Sequence, residues 1–255
     1  MSKLRIVMLV GPGRSSRIMY HALAREVDIA CVIREHGQSP AEMFARRLRR
    51  LGRLKVIGQA AFIACSRVMA RFAEPQIRRL LAAYRLDDSP LPASVVREVV
   101  NINDLEVAQL LRETRPAAVV VNGTRIIAPA ILDSVKAPFL NTHLGITPKY
   151  RGVHGGYWAL ARGDRANCGV TVHLVDAGID TGGVLYQDRI EPDGSDRFHT
   201  YPVHQLAKAI PLMKQALADV AAGRLRPQPG VGPSELFYHP TLLEYLRHRL
   251  IRGVR

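Results

Sequence analysis

Leu4 to Val10 is a nearly continuous apolar run, and a strand that is apolar on both faces must be covered on both faces. The run breaks at Gly11-Pro12-Gly13-Arg14-Ser15-Ser16. A helical pattern follows to about Glu26, and a second apolar run spans Asp28 to Ile33. A β-α-β opening sets its strands parallel, with a helix crossing one face. It predicts an α/β fold: a doubly wound, mostly parallel sheet with helices on both sides. The Gly-x-Gly turn can offer backbone N–H groups and a helix start to a phosphate. It lacks the third glycine of a dinucleotide fingerprint. Gly11, Gly13, Arg14 and Ser15 are therefore candidate contacts to an anionic substrate, beside the plainer reading that the turn only closes the corner.

Further strands are expected at Val95 to Val100, Ala117 to Val121, 137–140, 169–175 and 183–190, with helices from Asn103 to Arg112, Ile126 to Val135, His154 onward, Pro202 to Ala222 and Thr241 to Arg252. Residues 38–86 interrupt the alternation and read as a helical insertion. One helix starts at Ser39-Pro40-Ala41-Glu42 and carries Met43, Phe44, Leu48 and Leu51. A second apolar stretch covers 60–65, and another helix starts near Glu74-Pro75. Residues 1–223 form the α/β domain, and 224–255 form a short basic helical tail.

Net charge is +14, concentrated in the insertion and the tail. It invites a nucleic acid, an acidic substrate or an anionic membrane as partner. Basic strands with interleaved aromatics are lacking, so no nucleic-acid partner is expected. The insertion reads as an extra packing layer or subunit contact, or as a basic amphipathic helix at the inner membrane surface. There is no unbroken run of 18 or more apolar residues to span a bilayer. Cys31, Cys65 and Cys168 lie far apart and suggest neither disulfide nor metal. A cytoplasmic protein without a metal is expected, with its oligomeric state open.

The chemistry concentrates between Asn141 and Gly183. A strand delivers Asn141 and His143 to the start of a polar, glycine-rich loop, and residues two apart on a strand face one side. A second strand leads into a turn carrying Asp180. An amide, an imidazole and a carboxylate on strand-end loops suit acid–base work. His173 is set aside as a strand residue, and His154 as one that shapes the loop or touches substrate.

Four elements occur in order: Asn141-Thr142-His143, Pro148-Lys149-Tyr150-Arg151-Gly152, Gly169-Val170-Thr171-Val172-His173, and Asp176-Ala177-Gly178-Ile179-Asp180-Thr181-Gly182. In this order and spacing the chain resembles the folate-dependent formyltransferases. The resemblance covers about Ala117 to Gln187 and is faint over the first strand. It implies a Rossmann-like formyltransferase fold and transfer of a formyl group from 10-formyltetrahydrofolate to a primary amine. It implies that Asn141 and a protonated His143 donate to the developing oxyanion, and that Asp180 raises the His143 pKa and accepts a proton. It places the pterin against Thr124, Arg125 and Ile126 on one side and Asp176, Gly178, Ile179 and Gly182 on the other. Tyr150, Arg151 and His154 are candidate acceptor contacts.

The chain departs from the family at Gly145-Ile146-Thr147-Pro148, which reads as a smaller, more flexible loop and a place for acceptor choice. No acid precedes Pro211 by a turn, which weakens glycinamide ribonucleotide as acceptor. Residues 224–255 are too few for the tRNA enzyme's C-terminal barrel. The expected acceptor is an amino-sugar nucleotide or related phosphorylated amine. The alternatives are the purine-pathway formyltransferase, a formyltetrahydrofolate hydrolase and a non-catalytic nucleic-acid-binding protein.

Overall fold

The computed structural model describes residues 3–37, 48 and 51–255. The expected helix start at Ser39-Pro40, with Met43 and Phe44, lies outside the described residues.

Strands β1 (Arg5–Val10), β2 (Asp28–Glu35), β3 (Val96–Val99), β4 (Ala118–Asn122), β5 (Phe139–His143), β7 (Gly169–Leu174) and β8 (Val184–Arg189) form one sheet in the order β3-β2-β1-β4-β5-β7-β8. The first five are mutually parallel, and β7 runs antiparallel to both β5 and β8. Two short strands, β6 (Arg151–Gly152) and β9 (Leu236–Phe237), pair separately. The helices are α1 (Arg14–Leu23), α2 (Arg53–Ala83), α3 (Leu105–Thr114), α4 (Pro129–Leu132), α5 (Gly155–Ala161), α6 (Tyr201–Ala221) and α7 (Leu242–Arg252).

The β1 run is apolar throughout its interior because its two faces serve two cores. Ile6, Met8 and Val10 join α1 and α6 residues such as Ile18, Leu23, Met213 and Leu217. Val7 and Leu9 join Val107, Leu111 and Ile131 on the other side. The strand order reverses between β1 and β4, and a crevice at such a point, beyond the strand carboxyl ends, is where open α/β sheets bind ligands.

The insertion differs from expectation. Residues 53–83 form one 31-residue helix that runs through Pro75. A proline inside a helix costs about 3 kcal/mol, yet Ala73, Ile77 and Leu81 keep the buried stripe in phase across it. Glu74 is also held by Arg14 at 2.8 Å. Packing on both sides of Pro75 therefore outweighs the break. By length and composition α2 would suffice to cross a bilayer, although one of its faces is buried against the body.

The tail packs on the body. Thr241 and Glu244 form a reciprocal cap at the start of α7. Tyr245 packs against Phe62 of α2 with ring centroids 5.3 Å apart. Gln59 of α2 donates to the His239 carbonyl at 2.8 Å.

The first turn shows why its glycines differ. A Cβ on Gly11 would fall 2.1 Å from the Gly123 carbonyl oxygen, whereas one on Gly13 would meet only Ser15 Oγ at 3.7 Å. Gly11→Ala is therefore expected to destabilise the fold by about 2 kcal/mol. Gly13→Ala, at φ −72°, should stay within about 0.5 kcal/mol of the parent. Urea unfolding of the two variants side by side checks this, and equal costs would show that the Gly123 contact does not set the turn.

Candidate active site

Asn141 and His143 lie within the last residues of β5 rather than beyond it, because β7 continues the ladder past the parallel neighbour. Asn141 stands opposite His173, and His143 opposite Thr171. Residues directly opposed in a ladder share a face. All four polar side chains thus point to one side of two otherwise apolar strands.

His173 belongs to the site, a correction to its reading as a plain strand residue. Its Nδ1 lies 2.6 Å from the Leu174 carbonyl, which can only accept. In the neutral ring the proton is therefore on Nδ1, and Nε2 accepts from Asn141 Nδ2 at 3.1 Å. This fixes the amide orientation. The second Nδ2 hydrogen has only a 3.5 Å contact to Asp180 Oδ1. The sequence signal was the period-two polar pair Thr171 and His173 in a buried strand.

Asp180 sits at φ +51° on the loop after β7. Asp176 shapes that loop by accepting from Gly178 N at 3.0 Å and Thr181 Oγ1 at 2.7 Å. Arg151 Nη1 donates to the Ile179 carbonyl at 2.9 Å and ties the loop to β6. Asp180 Oδ2 accepts from Gly152 N at 2.8 Å and faces His143 Nδ1 at 3.2 Å.

His143 Nε2 lies 2.6 Å from the Tyr150 carbonyl and carries a proton there. Both ring nitrogens are thus engaged by protein acceptors, so direct donation by His143 to a substrate oxygen, expected from the sequence, is not what this geometry presents. A further proton taken up by the pair would lie between Nδ1 and Asp180 Oδ2, 3.2 Å apart. Burial disfavours the charged ring and lowers the His143 pKa, against the raising pull of the Asp180 carboxylate and the Tyr150 carbonyl. Burial pushes Asp180 up, but the His143 ring and the Gly152 N–H outweigh it and bring it below the ordinary carboxylate range. The shared proton therefore leaves at a pH below the ordinary histidine range, and the ionised pair can take one up again.

Gly145 makes this contact possible. A Cβ there would lie 2.5 Å from the Tyr150 carbonyl oxygen and 2.6 Å from His143 Nε2. Ile146 and Thr147 are buried. The Gly145–Thr147 stretch is tightly packed rather than flexible, and it shapes His143 without lining the cavity described below.

These groups open into a cavity of about 600 Å³, within the range of small-molecule sites. Thr124, Arg125, Ile126, Asn141, His143, His154, Asp176, Gly178, Ile179 and Asp180 all line it. Glu35, missed in the sequence, holds Arg125 through its N and Nε at 2.6 Å each. Val121, Ile127, Leu144 and Val175 supply apolar walls, and Leu236, Phe237 and Tyr238 of the tail close one side. Other candidates fall outside. Gly182 stands behind the wall against the Leu174 carbonyl. Tyr150 donates its hydroxyl to Asp164 at 2.8 Å and stacks on Phe237. Gly11, Gly13, Arg14 and Ser15 do not line the cavity, and the Arg14 guanidinium is committed to Glu74 and Asp88, each at 2.8 Å. Among the described residues no group of three His, Cys, Asp or Glu is placed to hold a metal.

Methionyl-tRNA formyltransferase of Finegoldia magna is 44% identical over 94 residues, 36% of this chain and 30% of the relative. That of Pelotomaculum thermopropionicum is 32% identical over 150 residues, 58% of this chain and 46% of the relative. The matches thus span less than half the length of these curated relatives. In fold, the chain is similar to glycinamide ribonucleotide transformylase 1 from Symbiobacterium toebii, with a TM-score of 0.58 and 18% identity over 89% of this chain and 94% of that one. It is also similar to a sugar N-formyltransferase from Shewanella sp. FDAARGOS_354, with a TM-score of 0.55 and 14% identity over 91% and 76% of the two chains. The formyl transferase family model matches residues 69–208, more than half of the sequence and all of Asn141, His143, His173 and Asp180, and the chain belongs to that family.

Proposed function

We propose that this protein transfers a formyl group from 10-formyltetrahydrofolate to a primary amine. The observation that carries the reading is the convergence of Asn141, the His143–Asp180 pair and His173 on the wall of one largely apolar cavity. The cavity suits a flat heterocycle. Apolar side chains of Val121, Ile127 and Val175 line it, and two strand-end loops, 123–126 and 176–180, can offer backbone donors and acceptors. Folate supplies the activated one-carbon unit when bound.

Asn141 donates its second Nδ2 hydrogen to the formyl oxygen as charge grows there, its amide having been aimed by His173. Preorganised donors of this kind contribute on the order of 3 kcal/mol to the transition state. Asp180 accepts the proton of the attacking amine through its less engaged Oδ1, directly or through one water. His143 then shares that proton through Nδ1, and the pair returns it to N10 of the folate as the formyl C–N10 bond breaks and tetrahydrofolate leaves. His143 acts through Asp180 and holds its orientation, while Tyr150 and Gly145 hold His143.

The amine we assign is that of an amino-sugar nucleotide or a related phosphorylated amine. A cavity of this size favours a small acceptor, and a sugar N-formyltransferase shares the fold over most of the chain. Acceptor contacts are assigned to the rim formed by Leu144, Val153, His154, Leu236 and Tyr238.

Mass-spectrometric screening of amino-sugar nucleotides, glycinamide ribonucleotide and methionyl-tRNA for a formyl mass gain tests the assignment. Formylation of an amino-sugar nucleotide is expected. Gain on glycinamide ribonucleotide or tRNA alone would move the acceptor, and hydrolysis of the folate without any amine would replace transfer by hydrolysis. Asp180→Asn and His143→Ala should each lower kcat by about 100-fold or more, and unchanged turnover in either would sink the mechanism. The pH profile gives a second check. Burial lowers the His143 pKa, so kcat/KM should rise with pH as the shared proton leaves, with a midpoint below the ordinary histidine value of about 6.5. An acid limb centred above that value would contradict the assigned pair.

A further inference from the structure

We infer that the outer face of α2 docks on an anionic lipid bilayer surface. The helix has two apolar faces. Val56, Phe62, Ala73, Ile77 and Leu81 are buried against the body. Away from them, Leu54 is 88% exposed, Ile57 59%, Val68 52% and Phe72 75%. With Ala61 and Ala64 these residues recur at spacings of three and four and so form one stripe. At the helical rise it is about 27 Å long. A soluble surface rarely leaves so long an apolar strip uncovered. A helix whose opposite face is buried in protein lies along a bilayer rather than through it.

Charge selects the occupant. Arg53, Lys55, Arg67 and Arg71 are exposed on the same helix, and among the described residues none of them forms an ion pair. The one carboxylate of α2, Glu74, is taken by Arg14 and Arg78. A second copy of this chain would bring these cations face to face. A nucleic acid would match the charge but leave Leu54, Ile57 and Phe72 against phosphates. An anionic bilayer takes both, with apolar side chains at the acyl boundary and cations at the headgroups. Beside α2, α7 exposes Leu243, Leu250 and Ile251 among Arg247 and Arg249, so the apolar and basic character extends across the helix pair. Leu51, just before α2, lines the cavity, so docking would hold the active site close to the lipid surface.

Co-sedimentation of the full chain with vesicles of phosphatidylcholine and phosphatidylglycerol, against phosphatidylcholine alone, tests this. Binding to the anionic vesicles is expected, weakened by salt. Ile57→Ser with Phe72→Ser should lower the partition coefficient by about tenfold or more. Arg67→Ser with Arg71→Ser should lower it about 30-fold. All four positions are exposed or at the surface, so helicity and Tm should hold. No binding to anionic vesicles at low salt overturns the inference. So does binding that the serine variants leave intact, a dimer that the Ile57→Ser/Phe72→Ser variant dissociates without vesicle binding, or retention of RNA with vesicles ignored. Sedimentation reads docking without turnover, so its outcome is separate from that of the formyl-transfer assay.

Discussion

The antiparallel pairing of β5 with β7 is the contact on which the site depends. It places Asn141 opposite His173 and His143 opposite Thr171. A slip of β7 by one residue would turn His173 and Thr171 to the other face, away from Asn141 and His143. The same pairing brings the end of β7, and with it the 176–182 loop, to the edge of β5, where Asp180 can reach His143 Nδ1 and Gly152 N. The remainder of the parallel sheet supplies rigidity: β1 and β4 are buried on both faces and hold β5 in place.

Burial of His143 has two consequences that work together. It makes a charged ring costly, so the proton shared with Asp180 is easily lost. It also favours a protein partner for each ring nitrogen, since an unpaired buried polar group is costly. The Tyr150 carbonyl and the Asp180 carboxylate answer that demand, and Gly145 leaves the space for them. The ring is therefore held between Tyr150 and Asp180, and the Asn141 amide, aimed by His173, lies beside it on the cavity wall.

Residues outside the Asn141–Gly183 stretch are bound into the same object. The tail contributes Leu236, Phe237 and Tyr238 to the cavity wall and is anchored by Tyr245 on Phe62 of α2. The insertion thus supports the site from behind while showing an apolar, basic outer face. Its apolar residues occur all round the helix, which is why residues 53–83 look like a bilayer-spanning segment by composition although one face belongs to the protein core.

Local patterns in the sequence were enough for the sheet, its parallel sense and most strand limits, because a strand buried on both faces advertises itself by an unbroken apolar run. They were also enough to single out Asn141, His143 and Asp180, because amide, imidazole and carboxylate recur there at strand-end spacing. What they could not show were facts of pairing between distant segments. His173 enters through β-ladder register, Glu35 through a contact with Arg125 far along the chain, and the tail through packing against α2. The glycine turns illustrate the same division. Gly11 and Gly145 were visible as glycines, and only the folded chain revealed that each gives way to a backbone carbonyl. The sequence by itself determined that an amide, an imidazole and a carboxylate, Asn141, His143 and Asp180, sit beside strand ends. The tertiary structure alone decided which atoms of those residues face the cavity and which are spent on one another, because hydrogen-bond direction and burial depend on neighbours that sequence distance does not reveal.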